Sequence, residues 1–208
     1  MKAEDWTMDK LFSRLIHNRS EKGRWEKVSA LWRRPNDEVY SRCVELVHSA
    51  KVKERIIGID VLAQLGGGRR PYGKQTLQLY FKLLEREEDV NAVAAIIHAI
   101  GHHNEQGLSL AQIKKLSQYQ THHSSEVRYA LAGALSGVDK APAIDVLIAL
   151  SRDRSAHVRD WATYYLGQHI ETDNEKIREA LWQRLNDPDP ETRREAICAL
   201  AQRKGWEA

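Results

Sequence analysis

The chain has 208 residues, 42% hydrophobic and 29% charged, with a formal net charge of +3. That composition excludes a disordered or low-complexity chain, and so small a basic excess does not suit a protein that coats nucleic acid. Two cysteines far apart, Cys43 and Cys198, exclude a disulfide framework and a paired-cysteine zinc site. The opening MKAEDWTMDK has no apolar core of a secretory signal, and no stretch approaches about 18 consecutive apolar residues. The expectation is a soluble, cytoplasmic protein.

In chain order, Thr7 is placed to cap a helix bearing Met8, Leu11, Phe12, Leu15 and Ile16 at helical spacing. Trp25, Val28, Ala30, Leu31 and Trp32 mark a second helix that stops near Pro35, so residues 1–35 read as an irregular capping pair. Helices are predicted over 37–48 and 53–65, before the run GGGRRPYG at 66–73. Three glycines raise the question of a phosphate cradle, but no Gly-Lys-Ser/Thr tail follows. The run reads as a helix stop and a turn. Further helices are predicted over 74–86, 89–102, 107–118, 125–136, 141–152 and 175–186, with Pro142 in a first turn, where its missing N–H costs nothing. The last two second helices are VRDWATYYLG and TRREAICALA, each led in by an acidic turn, 34 residues apart.

The small residues closing successive second helices are Gly66, Gly101, Ser136, Gly167 and Ala201, at spacings of 35, 35, 31 and 34. Counting forward along the ten residues to each, position one is Ile57, Ala92, Val127, Val158 and Thr192. Position five is Val61, Ile96, Leu131, Ala162 and Ala196, and position nine is Leu65, Ile100, Leu135, Leu166 and Leu200. Steps of four keep these on one helical face, which a single repeat could not bury and a stack can. The fold class expected is all-α, an α-α superhelix (right-handed solenoid) of about six antiparallel helix pairs. One domain is expected over 1–208, with five repeats over 36–203.

Arg128, Arg159 and Arg193 share position two, and Asp153 and Asp187 precede Arg159 and Arg193 by six residues. These five are expected to form a structural ladder, an acid in each turn pairing with an arginine of its own or a neighbouring repeat.

The pattern V-R-x-x-A-x-x-x-L-G, intact as VRDWATYYLG and altered as VRYALAGALS and TRREAICALA, resembles the HEAT-repeat superfamily, in the short alanine-rich variety also found in phycobilin lyases. The resemblance implies second helices lining a concave side. It does not fix a function, because that superfamily includes scaffolds, adaptors, lyase chaperones and a few enzymes. Deoxyhypusine hydroxylase, a relative by architecture, holds iron through His-Glu pairs at positions three and four of several second helices. Here those positions hold Ile59-Asp60, Ala94-Ala95, Tyr129-Ala130, Asp160-Trp161 and Arg194-Glu195, so that activity is not expected. The HEAT-like alkylpurine DNA glycosylases use tryptophans, an aspartate and a basic groove, and Arg159, Asp160 and Trp161 supply those residue types.

His98 and His102, four residues apart, are candidates for a metal, with His103, His122, His123 or Asp60 completing a set. No cofactor and no catalytic constellation is expected. The residues projecting from the second helices away from the core are Asp60, His98, His102, Tyr129, Asp160, Trp161, Tyr164, Gln168, Arg194 and Glu195. Aromatic rings rimmed by mixed charge suit a protein partner. The leading expectation is a monomeric, non-catalytic scaffold or adaptor holding a protein on this face, with toxin-immunity proteins as the analogy. The alternatives are a nucleic-acid-binding or base-excision solenoid, and a metal-dependent enzyme using the histidines. No membrane role is expected.

Overall fold

The computed structural model describes residues 3–104 and 107–203. They form two compact units, one ending at His103 and the other starting at Asn104. Every regular element among the described residues is helical. The N-terminal unit contains α1 (Met8–Ile16), α2 (Glu21–Trp32), α3 (Asp37–Leu46), α4 (Val52–Gln64), α5 (Gly73–Leu84) and α6 (Val90–Gly101). The C-terminal unit contains α7 (Leu110–Ser117), α8 (Ser125–Ala134), α9 (Ala141–Leu150), α10 (Ala156–Gln168), α11 (Glu175–Arg184) and α12 (Pro190–Gln202). Among the described residues no helix is long and apolar enough to cross a membrane.

Local chemistry sets the helix starts. Thr7, Ser20, Asn36, Asp89, Asn174 and Asp189 each accept a backbone N–H of the first turn, and Ser109 with Gln112 forms a reciprocal capping box. Pro190 occupies a first turn, as Pro142 does. The run at 66–73 is a stop and a turn: Gly66 adopts φ 84°, and a Cβ there would meet Pro71 Cδ at 2.5 Å.

Within each unit the second helix of a pair packs on the second helix of the next, α2 on α4 on α6 and α8 on α10 on α12. The first helices α7, α9 and α11 stack likewise. The stripe at positions one, five and nine is buried throughout, from Ile57, Val61 and Leu65 to Ala196 and Leu200. Thr192, its one polar member, is 0% exposed. Its hydroxyl donates to Asp189 at 2.8 Å, so no polar group is stranded.

One register differs from the glycine-anchored alignment. Arg55 follows Ser49 by six residues, as Arg128 follows His122, and does what Arg128 does (below). Counted from the turn, α4 has Gly58 where α10 and α12 have Ala162 and Ala196. That position is small because a Cβ on Gly58 would meet Cys43 O and Val47 Cγ1, each at 2.8 Å. The helix runs on three residues further before Gly66 stops it, so aligning on that glycine displaced its turn-end residues.

Candidate binding face

The second helices rest on a repeated arginine device. In the C-terminal unit Arg128 grips Asp153 through Nε (2.6 Å) and Nη2 (2.7 Å), while its Nη1 donates to His122 O and His123 O at 2.6 and 3.1 Å. Arg159 repeats this one pair later. Nε and Nη2 hold Asp187 at 2.9 and 2.8 Å, and Nη1 donates to Asp153 O at 2.9 Å. The arginine thus closes its own turn and takes the acid of the following pair's turn. Arg193 makes the first half, donating to Asp187 O and Pro188 O at 2.6 and 3.0 Å, and meets no carboxylate among the described residues.

Each acid has a second task. Asp153 accepts the Ser155 N–H at 2.8 Å and Asp187 the Asp189 N–H at 3.0 Å, which shapes the turn before the helix. Burial alone would raise the pKa of Asp187, but the hydrogen bonds from Arg159 and the Asp189 amide hold it below the ordinary carboxylate value. In the N-terminal unit Arg55 does the same with Glu87, two bonds at 2.8 Å, and with Ser49 O and Ala50 O. That rung was not read from the sequence. Counting six residues from the turn would have found it, because Glu87 stands at the turn and Arg55 six after Ser49.

On this frame the C-terminal unit presents a continuous set of rings. Tyr129 of α8 meets His157 (centroids 4.5 Å apart) and Trp161 (5.8 Å) of α10. Trp161 meets Tyr164 at 5.7 Å and Tyr165 at 5.5 Å, and both tyrosines meet His169 at 5.1 and 5.4 Å. Tyr129, Trp161, Tyr164 and Tyr165 are half-buried, and His157 and His169 are exposed. Burial, with Tyr129 and Tyr164 beside it, pushes the Tyr165 hydroxyl up to about 12. His169 is held by Ser136 Oγ at 2.6 Å. His157, Tyr165 and His169 were missed from sequence; the i, i+4, i+8 spacing of 157, 161 and 165 was the available signal.

Beside the rings lies an acidic seam between α10 and α12. Burial and then Glu195, Asp189 and Glu191 raise the pKa of Asp160, opposed by Arg194. Arg194 itself is shared between Glu191 (2.5 Å) and Glu195 (3.3 Å). Asp160 Oδ1 is buried and accepts no hydrogen bond from the described residues. Gln168, half-buried, is the last residue of α10.

In the N-terminal unit Asp60 is not presented as expected: its carboxylate is closed by Arg24 of α2 and is 17% exposed. His98 is exposed, and His102 Nε2 lies 3.2 Å from the Gln64 side-chain amide. Among the described residues no three His, Cys, Asp or Glu side chains converge to hold a metal ion.

Stacked helix pairs make this an all-α helical-repeat protein, and residues 77–167 match the family model for HEAT repeats. Within that class the chain is similar to Protein YibA of Escherichia coli K12, 37% identical over 81 residues, and the same holds for YibA of strain O157:H7. That match spans 39% of this chain and 29% of YibA, less than a third of the curated relative. The X-ray structure of the E. coli protein superposes with a TM-score of 0.78 at 23% identity, covering 96% of this chain and 71% of that one. A designed armadillo repeat protein in complex with the peptide (KR)4 superposes with a TM-score of 0.62 at 14% identity, covering 94% and 99%. Both likenesses are of fold.

Proposed function

We propose that the ring-bearing face of α8 and α10 holds a segment of another protein, and that the chain acts by holding it, without catalysis. The observation that carries this reading is the Tyr129–Trp161–Tyr164–Tyr165 set, half-buried rings on helices that the ladder holds in register. Tyr and Trp bring large contact area at low entropy cost, and partly desolvated rings at the centre of a surface are where binding energy concentrates. A designed armadillo repeat protein of similar fold is in complex with a peptide, (KR)4.

Base excision is less well supported, because Arg159 is already committed to Asp187 and to its own turn, and carboxylates crowd Asp160. Phosphate would be repelled there.

The test is to pan a displayed library of random 12-residue peptides against the full chain. Peptides whose binding falls by about thirtyfold or more on Trp161→Ala, a loss of about 2 kcal/mol, support the reading. Tight binding to duplex DNA at physiological salt, lost in the same variant, would replace it with the nucleic-acid reading.

A further inference from the structure

We infer that the segment held on this face is cationic: an arginine or lysine side chain packs against Trp161 and Tyr164 and carries its charge to the Asp160 carboxylate. This rests on the segment-binding reading above and names the chemistry of what is bound.

Charge complementarity favours a cation. Four carboxylates gather at the seam of α10 and α12: Asp160, Asp189, Glu191 and Glu195. Asp189 is occupied as the cap of α12, accepting from Thr192 N and Thr192 Oγ1, each at 2.8 Å. Glu191 and Glu195 share Arg194. Asp160 is left with a buried oxygen that none of the described residues donates to. The two arginines that flank the seam in sequence cannot serve it. Arg159 is spent on Asp187 and the Asp153 carbonyl, and Arg193 turns its Nη1 to the carbonyls of Asp187 and Pro188.

An anionic segment would meet this surplus of negative charge. An apolar one would bury Asp160 without a counter-charge, the costliest way to cover a carboxylate. A cation removes both penalties. Asp160 also adjoins Trp161 and stands four residues from Tyr164, which shares its side of α10. Tyr164 contacts Trp161 edge-on at 5.7 Å. Aromatic rings carry negative charge on their faces, and a guanidinium or ammonium group is drawn to them most strongly where water is partly excluded. The aliphatic stem of the same side chain covers ring surface while its head reaches the carboxylate.

The experiment uses fluorescein-labelled peptides (Arg-Ser)4 and (Glu-Ser)4 against the full chain at physiological salt, read by anisotropy. The expected result is saturable binding of (Arg-Ser)4 and none of (Glu-Ser)4. Asp160→Asn should weaken binding by about tenfold or more, as loss of a charge-assisted hydrogen bond does. Glu195→Gln should weaken it by less. Asp145→Asn, which removes a carboxylate paired with Lys176 on the first-helix layer, should leave it unchanged and so exposes mere polycation adsorption. Circular dichroism melts of each variant show that the fold is kept. Equal binding of the two peptides, or Asp160→Asn and Asp145→Asn binding alike, overturns the inference. The panned library separates the two readings. Trp161-dependent peptides without enrichment in lysine and arginine would sink the cationic inference and leave segment binding standing. If no peptide depends on Trp161, both fall.

Discussion

Arg159 of α10 and Asp187 of the following turn form a two-pronged pair, Nη2–Oδ1 2.8 Å and Nε–Oδ2 2.9 Å, in which the carboxylate is 2% exposed and the arginine 12%. The same guanidinium ties down the Asp153 carbonyl of its own turn, so one side chain joins two repeats. Arg159→Ala would leave Asp187 buried with Arg184 as its only ion-pair partner among the described residues, at 3.2 Å. We expect a loss of about 3 kcal/mol or more, in the range for breaking a buried pair. Arg193→Ala removes only hydrogen bonds to backbone carbonyls and should cost about a third as much. Urea denaturation of both variants checks the ratio, and equal losses would show that the carboxylate half of the rung contributes nothing.

The acid side of the stability profile should have two steps. His103 is 8% exposed, its ring edge-on to Tyr80, and burial, with Arg70 and His102 nearby, lowers its pKa from 6.5 to about 4. The unfolded chain therefore binds the proton first as pH falls, and stability is lost between about pH 6.5 and 4, by about 3 kcal/mol. Below that window Asp153 and Asp187 follow: their folded pKa values lie under the ordinary 3.8, so their contribution is present above that value and is lost as pH falls through the lowered ones. Denaturation midpoints of His103→Gln should decline less from pH 7 to 5 than those of the unmodified chain, the remaining slope coming from His102 and His122, whose pKa values burial also lowers. Parallel slopes would refute the assignment.

Gly167 lies where α10 meets α12: a Cβ there would sit 2.3 Å from Ala199 Cβ. Gly167→Ala gains helix propensity of about 1 kcal/mol but overpacks the seam, so the net result should be a loss of about 1–2 kcal/mol. Gly68→Ala meets nothing within 4 Å and needs no positive φ, and should be neutral or stabilising by up to about 1 kcal/mol. Thermal melts of the pair give opposite signs if the seam is as close as described.

The phase of α10 can be tested with neighbours. Ala162 is 0% exposed and Ala162→Asp places a carboxylate in the core, costing several kcal/mol or preventing folding, roughly the price of an unpaired buried charge. Asp160→Ala relieves a carboxylate crowded by three others and should shift stability by no more than about 0.5 kcal/mol, toward greater stability. If the two variants melted together, the inward and outward faces would be wrongly assigned.

The sequence by itself determined the helices, the first cap and the core stripe, because each depends on residues a few positions apart: Thr7 reaches the Lys10 amide three residues on, and Val158, Ala162 and Leu166 share a face by spacing alone. It also marked Arg128, Arg159, Asp153 and Asp187 as ladder residues, while leaving open whether an arginine takes the acid of its own turn or of the next. Only the tertiary structure decided that it takes the next, 28 residues on for Arg159, because that choice depends on how far one pair is translated past another. The same stacking added Arg55 and Glu87 to the ladder, set α4 three residues out of the glycine register, and closed Asp60 with Arg24. On the candidate face, Trp161 and Tyr164 were legible as outward residues. Their union with His157, Tyr165 and His169 was not, since ring contacts follow side-chain rotamers and the approach of α8 to α10, neither of which a linear spacing encodes.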